Sequence, residues 1–212
     1  NVRLLQDGSA LRPDIEEAVL DWLPSKLTQD SLVTVYFAGQ AVVSPTGDIF
    51  LIPYDGSLGS TSRLYPLKDL EAALERLKVK QVLLVFDGTV LKNGGEGRSK
   101  VTAPKWTRAG GKVLHLIGAT GFGKSLESDT LRHGLFTYYL LRSLRGEADF
   151  NRNGEVTIGE IAEYLNRKVP TAARTTFRQE QQPQVFPALR APDQGMDVVL
   201  TRPSAIPATD KP

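Results

Sequence analysis

Residues 118–125 (GATGFGKS) have the spacing G-x-x-x-x-G-K-S and directly follow a short apolar run. In nucleotide hydrolases the backbone amides of such a loop surround phosphate groups, while its lysine and serine meet the terminal phosphates and magnesium. The residues in those roles are Gly123, Lys124 and Ser125. A magnesium-binding aspartate should also close a later apolar strand, but residues 196–200 are followed by Thr201. The segment is therefore interpreted as a structural loop, with a phosphate-loop nucleotide hydrolase as the alternative.

Residues 149–160 fit the calcium-loop pattern D-x-[DN]-x-[DN]-G-x5-E at every defined position. Calcium prefers oxygen ligands at alternate positions and a carboxylate at the twelfth. The candidate ligands are Asp149, Asn151, Asn153, Glu155, Thr157 and Glu160. Thr157 and Glu160 also form a T-x-x-E capping box, which begins many helices. Weak calcium binding and a plain turn before a capped helix are both open.

These side chains lie on a series of predicted strands and helices. Three apolar runs, 32–37 (LVTVYF), 81–86 (QVLLVF) and 112–117 (KVLHLI), predict strands buried on both faces, as in a parallel sheet. Further strands are predicted at 48–53 and 196–200, and helices from residue 12 and over 67–77, 136–144 and 157–168. The second buried strand is expected to stop at Asp87-Gly88, at the edge where open α/β sheets carry active sites. Asp87 is therefore a candidate binding residue, or a carboxylate bonded to nearby backbone amides.

Composition limits the classes of function. The 212 residues are 41% apolar, which suits one α/β domain, expected over 1–201, with a proline-containing tail or linker at 202–212. A formal charge of +2 gives no electrostatic case for nucleic acid or an anionic membrane, and no apolar run approaches membrane-spanning length. The chain has no cysteine, which excludes disulfides, thiolate metal sites and a cysteine nucleophile. Any targeting segment would lie outside this chain, so the compartment is undetermined.

Several segments, in order, resemble motifs of the bacterial branch of the caspase and metacaspase peptidase family. Residues 36–41 (YFAGQA) are similar to its aromatic-S-G-H-G segment, 48–55 (DIFLIPYD) to D-x-Y-L-I-P-x-D, and 87–89 (DGT) to the start of D-A-C-H-S-G. Later, 134–141 (GLFTYYLL), 144–149 (LRGEAD) and 182–184 (QPQ) resemble G-x-F-T-Y-x-L-L, L-R-G-x-A-D and Q-T-P-Q. The resemblance implies a caspase-like three-layer sandwich with a mostly parallel central sheet flanked by helices. The family's first βα unit has no counterpart here, so we expect compensation from sequence or chain not included in these residues.

The resemblance also implies where the catalytic dyad would stand. The family's histidine falls on Gln40 and its cysteine on Thr89. A threonine hydroxyl is a poor nucleophile without an adjacent base, and the amide of glutamine cannot serve as that base near neutral pH. Asp87 and Glu127 fall where relatives border the substrate pocket, so a remnant of a peptide-binding groove is expected there.

Two further groups of residues leave alternatives open. His115 lies inside a buried strand and His133 precedes a helix, so each is interpreted as structural, with a relocated catalytic base as the alternative. The segment from residue 92 to residue 112 contains one acidic residue, Glu96, and six basic residues: Lys92, Arg98, Lys100, Lys105, Arg108 and Lys112. They favour a solvated loop, with docking to an acidic partner as the alternative.

The sequence therefore predicts a pseudopeptidase, a non-catalytic caspase-like domain with a binding, scaffolding or regulatory role. Its partner is expected to be a protein or peptide. No cofactor is required by this hypothesis, and calcium is the one candidate ion. The alternatives are the phosphate-loop hydrolase and a residual peptidase with a relocated catalytic group.

Overall fold

A six-stranded mixed sheet forms the centre of the protein in the computed structural model, which describes residues 1–58, 61–92, 102–106, 112–186 and 195–203. In chain order the strands are β1 (Leu32–Val43), β2 (Ile49–Ile52), β3 (Tyr65–Pro66), β4 (Gln81–Lys92), β5 (Val113–Ile117), β6 (Glu127–Ser128), β7 (His133–Gly134), β8 (Val156–Thr157), β9 (Gln184–Phe186) and β10 (Val199–Thr201). The order in the large sheet is β3-β2-β1-β4-β5-β9. Two small two-stranded sheets pair β6 with β7 and β8 with β10.

The three predicted apolar runs are confirmed as the centre of this sheet. Strands β1, β4 and β5 are parallel, and antiparallel strands flank them on both sides, so most paired residues lie in parallel ladders. Strand β5 is buried along its whole length, as expected when helices cover both faces of a sheet.

Helices cover the two faces of the sheet and make three layers. They are α1 (Arg12–Glu17), which continues as a wider turn to Trp22, α2 (Leu67–Glu75), α3 (Leu135–Arg142) and α4 (Ile158–Phe177). Leu70 and Leu74 of α2 recur at helical spacing and pack with Val82 and Leu84 of β4. On the opposite face Leu83 and Val85 pack with residues of α3 and α4. The predicted α/β sandwich is therefore confirmed.

Strands β1 and β4 are longer than the sequence predicts. Strand β1 continues beyond Phe37 to Val43, and β4 does not stop at Asp87-Gly88 but continues to Lys92. The cause is β2, which folds back after the turn at residues 44–48 and pairs antiparallel with Gln40–Val43. That end of β1 then provides a partner for β4 as far as Lys92.

The predicted last strand lies elsewhere. Strand β10 pairs with β8 outside the large sheet, whose sixth strand is instead β9. Three residues are too few to show a periodic pattern, so β9 was not predicted. Helix α4 extends beyond the predicted residue 168 to Phe177, because Val169 and Ala173 continue its buried face. Of the predicted tail, residues 204–212 lie outside the described residues.

None of the helices among the described residues is both long enough and apolar enough to cross a membrane.

Candidate functional site

Gln40 and Thr89 lie side by side at the carboxyl-terminal halves of two adjacent parallel strands. They are register partners in the pairing of β1 with β4, and the pair Ala38 and Asp87 lies two positions earlier. Register partners in a parallel ladder point to the same face, and alternate positions share a face, so all four side chains lie on the side of α3 and α4. Gln40 is exposed, Thr89 is half-buried and Asp87 is buried. The sheet thus brings together two residues that are distant in sequence.

Two glycines between these pairs let the strands approach closely. Gly39 and Gly88 are also register partners. A Cβ atom added to Gly88 would lie 1.9 Å from the carbonyl oxygen of Gly39, a distance that real atoms do not reach. Glycine at position 88 is therefore required by the spacing of β1 and β4 at the site.

The Asp87 carboxylate is enclosed and bonded on both oxygens. Only 7% of the residue is exposed. Ser125 donates its hydroxyl hydrogen to one oxygen, and Thr137 at the start of α3 donates to the other. The predicted alternative, a carboxylate held by its neighbours, fits this geometry, but the donors are side-chain hydroxyls and not backbone amides. These two hydrogen bonds offset part of the free energy that it costs to bury a charged carboxylate.

A second buried side chain extends this network. Gln181 donates through Nε2 to the carbonyl oxygen of Gly118 at 2.9 Å and accepts from the backbone N–H of Leu126 at 3.0 Å. Its Nε2 also lies 3.4 Å from the hydroxyl oxygen of Ser125. Gln181 therefore fixes both ends of the loop that presents Ser125 to Asp87.

Tyr36 connects the buried network with the surface. Its hydroxyl is 2.7 Å from the hydroxyl of Thr137, and 46% of the residue is exposed. Because the single hydroxyl hydrogen of Thr137 is directed to Asp87, Tyr36 is the donor in this contact. Burial raises the pKa of the Tyr36 hydroxyl, and the nearby charge of Asp87 raises it further. The tyrosine thus stays a neutral donor through the ordinary pH range.

The loop at residues 118–125 does not have the surroundings of a phosphate-binding loop. Such loops lead into the N-terminus of a helix, whereas this chain continues into β6, and the next helix begins only at Leu135. The Ser125 hydroxyl is occupied by Asp87 and buried, while Lys124 is exposed. The spacing of the motif suggested that Ser125 binds a nucleotide together with magnesium. In the structure its hydroxyl instead donates to the Asp87 carboxylate.

Neither histidine lies in the network. His115 is 3% exposed under α2, where its Nε2 lies 3.1 Å from Glu71 Oε1 in a contact not aligned as a hydrogen bond. His133 is exposed in β7, the strand that pairs with β6 and with Glu127. Among the described residues, no hydrogen bond or ion pair joins either histidine to Gln40 or Thr89.

Part of the predicted basic segment can be placed. Lys92 lies over the ring of Phe122, with its Nζ 4.9 Å from the ring centroid, and Lys112 donates to the carbonyl oxygen of Leu77. Arg98, Lys100 and Arg108 lie outside the described residues. The acidic-partner hypothesis for this segment stays a prediction.

The loop at residues 149–160 folds around its first carboxylate. Asp149 accepts hydrogen bonds from the backbone N–H groups of Asn153 and Gly154, at 3.1 and 2.9 Å. Asn151 and Asn153 each accept from the amide two residues later. Gly154 has φ of +80°, a left-handed conformation that favours glycine.

The predicted capping box at the start of α4 is confirmed. Glu160 Oε2 accepts from the backbone N–H of Thr157 at 3.0 Å, and the Thr157 hydroxyl accepts from the amide of Glu160 at 3.2 Å. The other oxygen, Oε1, is buried and has no hydrogen-bond partner among the described residues. Within the described ranges, no three His, Cys, Asp or Glu side chains are grouped to hold a metal ion. A calcium ion in this loop would therefore depend on asparagine and backbone oxygens as well as on two carboxylates.

Comparison with known proteins gives a similarity at the level of the fold. No protein-family model matches the chain, and no curated protein matches it. Among solved structures it is similar to the crystal structure of caspase-1 from Spodoptera frugiperda, with 15% sequence identity and a TM-score of 0.47. That similarity covers 83% of this chain and 68% of the caspase chain.

The residues of this candidate site differ in how far the sequence pointed to them. Gln40, Thr89 and Asp87 were predicted through the family resemblance, and Ser125 was singled out by an unrelated motif. Thr137, inside the motif at 134–141, and Gln181, just before the motif at 182–184, were not predicted as site residues, because a single hydroxyl or amide gives no signal of its distant partner.

Proposed function

We propose that this chain is a non-catalytic caspase-like domain that acts as a binding or regulatory module at the carboxyl-terminal halves of β1 and β4. The observation that carries the proposal is the register pairing of Gln40 with Thr89. The resemblance assigns these two positions to the histidine and cysteine of a peptidase. Their adjacency supports that assignment, since a base and its nucleophile must lie within hydrogen-bond reach.

The chemistry at these positions does not support peptide-bond cleavage. The Gln40 amide cannot take up a proton near neutral pH, so it cannot activate the Thr89 hydroxyl. The chain has no cysteine to replace the nucleophile. His115 is buried beneath α2, and His133 makes no bond to either residue among those described. What the pair retains is hydrogen-bonding capacity: an amide and a hydroxyl can bind a peptide backbone or polar side chain.

The proposed partner is a protein or peptide that contacts the surface formed by Tyr36, Gln40 and Thr89. Asp87 contributes to this surface indirectly, because it is buried and each of its oxygens accepts a hydrogen bond from a neighbouring hydroxyl. Glu127 is exposed on β6, so its carboxylate is open to a charged contact. We therefore expect recognition to depend on neutral polar contacts more than on a basic residue of the partner.

Catalysis is tested by incubating the purified protein with a pool of fluorogenic peptides ending in Arg, Lys or Asp. We expect no turnover above the buffer rate. Thr89→Ala serves as the site variant, and Thr175→Ala, at an exposed position of α4, as the matched control. Turnover that Thr89→Ala abolishes and Thr175→Ala retains would contradict the non-catalytic proposal.

Binding is tested by selecting displayed peptides on the wild-type protein and measuring their affinity for variants. Gln40→Lys should weaken the selected peptides by about tenfold or more, because it replaces an acceptor and donor by a charge. Lysine at exposed Thr175 should change nothing. Equal affinities in all three proteins would place the peptide-binding surface elsewhere.

We propose weak calcium binding by residues 149–160 as a second function. The specific observation in its favour concerns Glu160, the residue at the twelfth loop position, whose buried Oε1 has no hydrogen-bond partner in the part of the chain that the structure describes. Glycine in the left-handed conformation at the sixth position and the pairing of β8 with β10 support the same loop shape. In this proposal Asp149, Asn151 and Asn153 would supply further oxygens.

The calcium proposal is tested by the melting temperature at millimolar calcium. Calcium that binds only the folded state raises this temperature, and the rise should disappear in Asp149→Ala. Asp129→Ala, at an exposed position outside the loop, should retain it. Either no shift in the wild type or an equal shift in Asp149→Ala would remove calcium from the proposed function.

A further inference from the structure

Four aromatic rings of α3, α4 and the segment between these helices form one connected set. The ring centroids of Tyr138 and Tyr139 are 5.2 Å apart, and those of Tyr139 and Tyr164 are 6.2 Å apart. The ring of Phe150 lies 6.4 Å from that of Tyr164. Tyr164 is buried at 2% exposure, whereas Phe150 is 44% exposed. The set therefore begins in the core and reaches the surface at Phe150.

A basic side chain lies over three of these four rings. Each cation is within about 6 Å of its ring centroid, the range of cation–π attraction. The pairs are Arg142 over Tyr138 at 5.5 Å, Arg167 over Phe150 at 5.3 Å and Lys168 over Tyr164 at 5.8 Å. Contact with a ring restricts a long basic side chain, so a partner that binds it has less conformational entropy to remove.

The carboxylates beside these rings already have partners. Glu147 accepts hydrogen bonds from Arg142 and from the hydroxyl of Tyr164. Asp149 accepts from backbone amides of its own loop. Glu163 pairs with Arg167 through one terminal nitrogen of the guanidinium. These acids therefore neutralise part of the local positive charge and leave no free carboxylate among them.

The positive charge beside the rings is in excess. Arg145 and Lys168 are exposed and have no carboxylate partner among the described residues. The side chain of Arg167 is 65% exposed, and its other terminal nitrogen has no partner in the described part of the chain. From residue 164 to residue 178 the sequence contains four basic residues and no acidic one. The unpaired charges here are positive, which gives complementarity to an acidic partner.

Carboxylates fit these cations better than a nucleic acid does. Single-stranded nucleic acids stack their bases on exposed aromatic faces. Tyr164 is buried, and Arg167 lies over the ring of Phe150, so these rings do not form an open stacking platform. Nucleic-acid affinity also depends on many phosphate contacts, whereas the formal charge of the whole chain is +2.

We propose that the surface formed by Arg145, Arg167 and Lys168 around the exposed ring of Phe150 docks an acidic segment of a partner protein. Carboxylates of the segment accept hydrogen bonds from the three cations, and an apolar side chain of the segment packs against Phe150. This basic surface belongs to α4 and to the segment between α3 and α4. The inference is therefore independent of the function proposed for the two strand residues Gln40 and Thr89.

The test uses a fluorescein-labelled peptide of about ten glutamates with one leucine at its centre. We expect saturable binding by fluorescence anisotropy at low salt, weakened by about tenfold or more at high salt, because salt screens exposed charge pairs. The same peptide with glutamine in place of glutamate should bind at least about tenfold more weakly. Hydrogen exchange of the wild-type protein should slow in residues 143–150 when the glutamate peptide is bound.

Two exposed lysines provide matched charge reversals. Lys168→Glu should weaken binding of the glutamate peptide by about threefold to tenfold, and the double variant with Arg145→Glu by about tenfold or more. Lys68→Glu makes the same change at an exposed position of α2, in the opposite helical layer, and should leave the affinity unchanged.

Four results would overturn the proposal. They are a lack of saturable binding, equal binding of the glutamine peptide, an equal loss in Lys68→Glu, and slower exchange confined to residues outside 143–150 and α4. A ten-nucleotide oligothymidine that binds more tightly than the peptide, and loses affinity in the same double variant, would assign the surface to nucleic acid and also overturn it.

Discussion

Thr137→Val tests whether the buried Asp87 carboxylate is stabilised by its two hydroxyl donors. The substitution keeps the branched shape of the side chain at the start of α3 but removes the hydroxyl that donates to Asp87. Among the described residues, Ser125 then remains as the single side-chain donor. Tyr36 loses its acceptor at the same time, but this tyrosine is 46% exposed and can donate to water instead.

The expected loss follows from the charge and burial of the acceptor. A hydrogen bond to a charged group contributes about 1.5 to 3 kcal/mol, and Asp87 is 7% exposed, so water replaces the lost donor poorly. We expect Thr137→Val to lower the free energy of unfolding by about 2 kcal/mol, and Ser125→Ala to lower it by a similar amount. The double variant leaves the carboxylate without either donor. Its loss should exceed the sum of the single losses by about 0.5 to 3 kcal/mol, the usual coupling of residues that share a partner.

Urea unfolding followed by far-ultraviolet circular dichroism measures these free energies. Thr175→Val is the control, since the hydroxyl of Thr175 donates to the carbonyl oxygen of Thr171 on the exposed face of α4. Its effect should stay within about 0.5 kcal/mol of zero. If Thr137→Val behaved like this control and the double variant were additive, Asp87 would not be held by the two hydroxyls.

Two further predictions concern strand spacing and alkaline pH. Gly88→Ala should lower the free energy of unfolding by about 1 to 3 kcal/mol or more, because the added Cβ would lie 1.9 Å from the Gly39 carbonyl oxygen. Equal urea midpoints for Gly88→Ala and Gly8→Ala, where a Cβ meets no atom within 4 Å, would refute this. Burial raises the pKa of Tyr65 to about 12, with the charges of nearby acids adding to the effect. The unfolded chain releases this proton from about pH 10, so stability is full below pH 10 and about 3 kcal/mol is lost as pH rises to 12. Unfolding at pH 9 to 12 should show a smaller loss in Tyr65→Phe, whereas a curve identical to the wild type would exclude Tyr65 as its source.

Much of the fold could be predicted from local patterns. The apolar runs at 32–37, 81–86 and 112–117 have to be buried on two faces, and this requirement places them at the centre of a helix-covered sheet. The Thr157 and Glu160 capping box marks the start of α4 because its bonds lie within one turn. These features depend on contacts between near neighbours in sequence.

The extent of β1 and β4 could not be predicted in this way. Whether Gln40–Val43 continues a strand depends on β2 folding back upon it, and the continuation of β4 to Lys92 depends in turn on β1. Ladder bonds between separate segments carry no pattern within either segment. The sequence therefore predicted strand ends at positions where the sheet continues.

The candidate site, like the fold, has features that follow from the sequence alone and features that only the tertiary structure decides. The sequence alone determines the chemistry available, because an amide at Gln40, a hydroxyl at Thr89 and the absence of cysteine are properties of residue types. Only the tertiary structure decides that these two residues are register neighbours, and that Asp87 is closed by Ser125 and Thr137. The physical reason is that reactivity resides in a side chain, whereas proximity and burial arise from the packing of segments far apart in the chain.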